Sequence, residues 1–346
     1  MSTTLNDRPQ RPRASRATGN VTLADVAKLA GVSAITVSRV VNRPDMVTAE
    51  TFAQVQQVID RTGYVPNLLA GGLASKRTRL VAAIVPSITN VVFVETIQAL
   101  TDRLWEAGYQ VLLGLSGYPS QREDALLSAI LSRRPDAIYL TGINHSPEAR
   151  QRLLTAKVPI VETWDMTPTP MDMLVGFSHE QVGEAVARHL LAKGHRTFGM
   201  VWADDTRALA RRRGFVEEAE RHGCSSVEVV TVAAPSTLAL GRQGLALLID
   251  RGVTPTAVFC SSDVLAHGVM EEARSRDIAI PSDLAVIGFG DLELARHTYP
   301  PMSTVRVDRA AIGLRAAELI LTRMNGHNGS SEIVDVGFEI IDRGTT

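Results

Sequence analysis

The sequence predicts an α/β protein: a small N-terminal all-α helix-turn-helix head, then two doubly wound parallel-sheet subdomains. Three observations carry this. The stretch "VTLADVAKLAGVSAITVSRVVN", residues 21–42, holds two short helical periods separated by one glycine. From Leu80 onward short apolar runs alternate with helical patterns of about 10–15 residues, in two successive sets. Charge is divided as well. Residues 1–79 carry 11 Lys and Arg against 5 Asp and Glu, about +6, and residues 80–346 carry 25 against 32, about −7, within a net charge of −1. A basic head on an acidic body implies that only the head meets a polyanion. With 346 residues and 45% hydrophobic content the chain can fill two or three cores.

Residues 1–20 contain Arg8, Arg11, Arg13 and Arg16 with two prolines and no apolar segment, so they read as a disordered basic tail and not as a secretory leader. No apolar run approaches 18 residues, which excludes a membrane-spanning helix. Cys224 and Cys260 lack metal-ligand spacing and read as reduced buried thiols, as expected in the cytoplasm.

The head covers 21–65. Thr22 with Asp25 three residues on is a capping box that opens a helix to about Ala30. Leu23, Val26, Ala27 and Ala30 form one narrow apolar stripe. Gly31 ends that helix and Ser33 caps a second one, in which Val37, Val40 and Val41 face inward. A third helix starts near Thr48 with the stripe Phe52, Val55, Val58 and Ile59. The second helix presents Ala34, Ile35, Ser38, Arg39 and Asn42 outward, a face fitted to a DNA major groove. Ala34 and Ile35 can touch thymine methyls and Arg39 can fork to guanine, while Ser33, Thr36, Ser38 and Asn42, joined by Thr22, can reach phosphates or base edges. The plain alternative is a solvated three-helix surface.

This stretch, followed by "GYVPN", resembles the DNA-binding head of the lactose-repressor/galactose-repressor (LacI/GalR) family of bacterial transcription regulators. The match is dense over 21–76 and looser to the C-terminus. The resemblance implies that Ala34, Ile35 and Arg39 stand at the main base-reading positions. It also implies that 66–79, with "NLLAGGLASKRT", is a hinge that turns helical on DNA and wedges Leu73 into the minor groove. Gly71 and Gly72 make that helix intrinsically poor, each by about 1 kcal/mol relative to alanine.

The body covers 80–346, expected as an effector-binding and dimerisation domain of two interleaved subdomains. Its first set comprises strand "LVAAIV", helix 92–107, strand "YQVLLGL", helix 121–132, and strands "DAIYLT" and "VPIVET". Its second comprises helix 179–193, "TFGMVW", helix 206–222, "VEVVTV", helix 238–251, "TAVFCS", helix 263–275 and "LAVIGF". The family resemblance implies the same body, periplasmic-binding-protein-like, with a ligand cleft between the subdomains.

No Walker loop, dinucleotide fingerprint, nucleophile elbow or zinc-protease motif is present. His179, His189 and His195 read as helix-surface or helix-end residues, and Asp204–Asp205 as a loop N-cap. A sensor is therefore expected, with no cofactor and no metal. A sugar-processing enzyme fused to a DNA-binding head and a purely structural DNA-bending protein are the alternatives. By resemblance, the pocket residues are Val91, Phe93, Thr141, Trp164, Asp165, Arg211, Ser262, Asp263, Gly290 and Arg309, with Asp291 beside Gly290. Many sugar-binding members carry an asparagine where Ser262 stands and an acid where Gly290 stands, so a neutral pyranose fits this chain poorly. Arg211 and Arg309 converging in a dry cleft would suit a carboxylate, unless Arg309 pairs with a protein carboxylate. The segments "PSITNVVF", "YLTGINHSP" and "PIVETWDMTPTPMDMLVGFSHE" further resemble gluconate-utilisation repressors. Gluconate or a ketogluconate is the expected effector, with a neutral or phosphorylated sugar as the alternative. The expected partner is double-stranded DNA, a near-palindromic operator, bound by a homodimer. No leucine-heptad tail, the device by which some members form tetramers, follows "FEIIDRGTT".

Overall fold

The computed structural model describes residues 21–65, 77–117, 120–224, 227–327 and 331–346. The expected tail at 1–20 and the hinge residues Gly71, Gly72 and Leu73 lie outside the described residues. The chain divides into two units, Met1–Lys76 and Arg77–Thr346.

In the first unit, α1 (Leu23–Leu29) opens on the expected capping box. Thr22 Oγ1 accepts from the Asp25 amide at 3.3 Å, and the Asp25 carboxylate accepts from the Thr22 amide at 2.9 Å. Gly31, at φ +62°, turns the chain where a Cβ would be strained. Ser33 then caps α2 (Ala34–Asn42), accepting from the Thr36 amide at 3.1 Å. A 3₁₀ turn at Pro44–Met46, where proline's fixed φ suits a first turn, leads to Thr48, which caps α3 (Ala49–Thr62). Val26, Ala27, Ala30, Val37, Val40, Val55, Val58 and Tyr64 form the small core. Gln54 Nε2 donates to the Ala30 carbonyl at 2.9 Å, satisfying an end of α1 from α3. The expected stripes need two corrections. Phe52 stays exposed, one turn before the buried Val55, and Val41 is only half-buried.

In the second unit, six parallel strands form one sheet in the order β11-β5-β4-β3-β1-β2. They are β1 (Leu80–Val85), β2 (Gln110–Leu115), β3 (Ala137–Thr141), β4 (Ile160–Thr163), β5 (Met173–Gly176) and β11 (Ile333–Asp335). A four-stranded parallel sheet follows the order β7-β6-β8-β9, with β6 (Phe198–Ala203), β7 (Val227–Val232), β8 (Ala257–Cys260) and β9 (Ala285–Ile287). The central strands are buried on both faces, which is why they read as unbroken apolar runs. Helices α4 (Val94–Glu106), α5 (Ser120–Leu131) and α6 (Pro147–Ala156) flank the first sheet. Helices α7 (His179–Ala192), α8 (Thr206–Arg221), α9 (Leu238–Asp250) and α10 (Asp263–Ser275) flank the second. Each order reverses next to its first strand, between β1 and β3 and between β6 and β8, so the carboxyl ends of these strands form ligand crevices.

The apolar alternation leaves β5, α6 and everything after Phe289 without an expectation. There the chain forms α11 (Glu293–His297), β10 (Thr304–Arg306), α12 (Arg309–Met324), β11 and β12 (Glu339–Ile341). The strands and α11, at three to five residues, are too short to show a period, whereas α6 and α12, at 10 and 16 residues, are long enough to show one and carry no expectation. The elements after Phe289 produce the interleaving: α12 packs on α4, β11 completes the first sheet beside β5, and β12 pairs antiparallel with β10. Helices α7 and α8 touch backbone to backbone. A Cβ on Gly183 would fall on the Arg211 carbonyl, and one on Gly214 would fall on the Glu180 carbonyl. Among the described residues no helix is long and apolar enough to cross a membrane.

Candidate functional site

Two groupings follow from this framework, one in each unit. On the head, Ala34, Ile35, Arg39 and Asn42 are exposed along one face of α2, with Ile35 at 66%. Internal bonds occupy much of the polar set. The Thr22 hydroxyl is engaged with Asp25, Ser33 with Thr36 at 2.9 Å, and Asn42 Nδ2 donates to the Ser38 carbonyl at 2.9 Å. Arg39 makes no ion pair among the described residues. An apolar tip beside a free guanidinium suits base edges better than a solvated helix face does.

In the body, the crevice residues come together from distant parts of the chain. Phe93 is buried and meets Trp164 edge-on, ring centroids 5.1 Å apart. Trp164 follows β4 at φ +63°, a left-handed conformation rare for a bulky residue and characteristic of functional sites. Its amide donates to the Val175 carbonyl at 3.2 Å, and its carbonyl accepts from His179 Nε2 at 2.9 Å. Arg211 lies 2.8 Å from His179 Nδ1 and donates to the Ser261 carbonyl at 3.0 Å. Its guanidinium carbon stands 3.9 Å from the Phe289 ring centroid. Since arginine only donates, His179 Nδ1 must accept, which fixes the neutral Nε2–H tautomer. Burial first, then the charges of Arg211 and Arg207, hold the His179 pKa well below its usual value. His179 is therefore a buried link, not the helix-surface residue expected. Burial also brings Arg211 down to about 10, against the opposing pull of Asp205. Asp205 is the N-cap of α8, as expected.

Several polar groups here are buried without a well-formed hydrogen bond among the described residues: the hydroxyls of Tyr139 and Thr141, the indole N–H groups of Trp164 and Trp202, and Arg211 Nε, although Tyr139 lies close enough to Thr141, Thr163 and Trp164 for weaker polar contact. Such groups cost about 1–3 kcal/mol each when unpaired, and a ligand can satisfy them. Burial pushes the Tyr139 phenol up to about 12, so it remains a hydroxyl. Asp165 is half-buried and its pKa is raised by that burial. Arg207, absent from the sequence expectations, extends from the first turn of α8 to within 5.3 Å of the Phe93 ring centroid.

Other expected pocket residues hold structural posts. Asp263 is fully buried, and its carboxylate accepts from the Thr304 hydroxyl at 2.5 Å and from the Leu292 amide at 2.7 Å. Burial raises its pKa to about 6. The Ser262 hydroxyl caps α10, accepting from the Leu265 amide at 3.3 Å. Arg309 does not stand free beside Arg211. It pairs with Glu95 at 2.7 Å and donates to the Gly290 carbonyl, the protein-carboxylate alternative. Asp291 is held by Arg306 at 2.7 Å and Arg343 at 2.6 Å, with Arg296 at 3.3 Å. Val91 is exposed.

Comparison with known proteins identifies the two parts of the chain. Residues 22–67 match the model of "Bacterial regulatory proteins, lacI family", and residues 187–346 match that of a "Periplasmic binding protein-like domain". The chain is 36% identical over 349 residues to the HTH-type transcriptional regulator GntR of Pseudomonas aeruginosa, covering 100% of both chains. Its structure is similar to that of a LacI-family transcriptional regulator from Silicibacter pomeroyi, with TM-score 0.88 and 32% identity over 94% of this chain and 99% of that one. It is also similar to the transcription regulator GntR from Chromobacterium violaceum, with TM-score 0.73 and 34% identity over 77% of this chain and 98% of that one.

Proposed function

This chain belongs to the lacI family of bacterial transcription regulators, and on that premise we propose that it is a repressor, dimeric on a near-palindromic operator, whose signal is a sugar acid bound in the body. Family membership makes it a DNA-binding regulator and not an enzyme. The observation that carries the effector reading is the buried cluster of Tyr139, Thr141 and Trp164, whose polar atoms lie near one another without completing well-formed hydrogen bonds, together with the guanidinium groups of Arg207 and Arg211. Donors in that number call for a ligand rich in oxygen acceptors, and the cations call for one that is negative. The resemblance of "PSITNVVF" and "YLTGINHSP" to gluconate-utilisation repressors supports gluconate or a ketogluconate. Dimerisation is supported by exposed apolar side chains on α4 and on the edge strand β2, namely Val94, Trp105, Leu113 and Leu115.

Calorimetric titration with gluconate, 2-ketogluconate, gluconate 6-phosphate and glucose tests the effector. Tight binding of glucose alone would overturn the sugar-acid reading. On the DNA side, Arg39→Ala should cost about 1–3 kcal/mol and relax preference at one base pair per half-site. Uniform weakening on all sequences would make Arg39 a phosphate contact instead.

A further inference from the structure

Building on the sugar-acid reading, we propose that Arg207 is the residue that makes this cleft select a carboxylate over a neutral polyol. Three arginines approach the crevice, and two are committed within the protein. Arg211 is taken by His179, the Ser261 carbonyl and the Phe289 ring, with only its Nε left over, and Arg309 by Glu95 and the Gly290 carbonyl. Arg207 makes no hydrogen bond or ion pair with any described residue. Its one close partner is the face of Phe93, at 5.3 Å. The residue is half-buried, and its five donors have no protein acceptor among the described residues.

Gly142, directly after β3, lies beside the guanidinium, and a Cβ there would stand 3.1 Å from Arg207 Nη1. Asp165 is near enough to feel the charge of Arg207, yet they form no ion pair, and Asp165 Oδ1 accepts from the Met166 amide at 2.9 Å. Arg207 also acts electrostatically on Tyr139, whose hydroxyl makes no well-formed hydrogen bond and offers a donor to the same ligand. A carboxylate docked on Arg207 would take two parallel N–H bonds, leaving the sugar hydroxyls to Tyr139, Thr141 and Trp164. A neutral polyol of the same length keeps the second set of bonds and forgoes the first.

The test compares gluconate with glucitol, which replaces the carboxylate by a hydroxymethyl group, in calorimetric titrations of the full chain. Wild type should prefer gluconate. Arg207→Gln should weaken gluconate about tenfold to a hundredfold, the worth of charged hydrogen bonds. It should move glucitol by no more than about threefold, and that retained binding doubles as the folding control. Arg207→Lys should restore part of the preference, and Arg309→Gln should leave the ratio intact. If Arg207→Gln keeps the wild-type ratio, or Arg309→Gln loses it while Arg207→Gln does not, the assignment to Arg207 is wrong and the sugar-acid reading stands. If wild type binds gluconate no more tightly than glucitol, both fall together.

Discussion

Polar side chains are used in opposite ways by the head and by the cleft of the body. In the head they are satisfied by neighbours three or four residues away: Thr22 with Asp25, Ser33 with Thr36, Thr48 with Thr51, Asn42 with Ser38. What remains on the outer face of α2 is Ala34, Ile35 and Arg39. In the cleft, His179 reaches back to Trp164 and forward to Arg211, and Arg211 reaches Ser261. Tyr139, Thr141 and Trp164 cluster without completing a well-formed side-chain hydrogen bond among the described residues. A surface that docks on a large, externally supplied groove can afford to complete its own bonding first. A crevice for a small molecule must hold donors in reserve, and only a large, rigid fold can bear that cost.

Three measurements break or sharpen that contrast. The largest effect belongs to the rigid side. Gly183→Ala drives a methyl into the Arg211 carbonyl and forces α7 from α8, which should destabilise the body by about 3 kcal/mol and loosen Arg211. All three tryptophans, Trp105, Trp164 and Trp202, lie in the body, so a fall in the midpoint of intrinsic fluorescence isolates this effect from the head. An unchanged midpoint would mean that the helices tolerate separation.

Val37→Ala comes next, at about 2 kcal/mol, because it empties a fully buried site in a core with eight buried residues among those described. Operator affinity should drop as the head unfolds while the tryptophan transition stays put. A shift of both transitions together would show that the two regions do not unfold separately.

The smallest effect is a difference of sign in pH dependence. In the body His145 is enclosed by Glu123 at 2.7 Å and Glu162 at 3.6 Å. Burial alone would lower its pKa, but hydrogen bonding and charge from the two glutamates outweigh it and hold it near 9. A raised pKa contributes stability that is complete below about 6.5 and is lost as pH climbs through 9. The slope in that window is at most about 1.4 kcal/mol per pH unit for one proton. In the head Asp25 is held below its usual pKa chiefly by the Thr22 hydroxyl, so its contribution is present above about 3.8 and disappears on acidification. Denaturant midpoints of wild type and His145→Gln between pH 6.5 and 9 check this. Parallel slopes would remove His145 from the account.

The same contrast governs what could be read without coordinates. The caps at Thr22 and Ser33, the turn at Gly31 and the outward face of α2 are all set within four residues, and sequence periodicity finds them. The buried strands are legible for the same reason, since six apolar residues in a row admit few alternatives. The cleft is another matter. Nothing local distinguishes Arg207 from Arg212 and Arg213, yet the first faces Phe93 while Arg213 pairs with Glu180. His179 opens a helix after a serine cap, which suggests a surface position. Only the approach of Trp164 and Arg211 encloses it. For Arg309 the sequence leaves ligand and protein carboxylate both open, and Glu95, more than two hundred residues earlier, takes its charge.

The interleaving of the two sheets carries a consequence for how the chain is made. β1 to β5 leave the ribosome early, but α12 and β11, which cover and complete their sheet, are translated only after the whole of the second sheet. Until then the face that α12 will cover and the edge of β5 are open, the kind of surface on which nascent chains aggregate or recruit chaperones. Contacts so distant in sequence also slow the final collapse. The head needs only its own three helices and can finish within their first moments outside the exit tunnel. A cell producing this regulator would thus hold, for a time, molecules whose reading head is finished while the body that receives the signal is not.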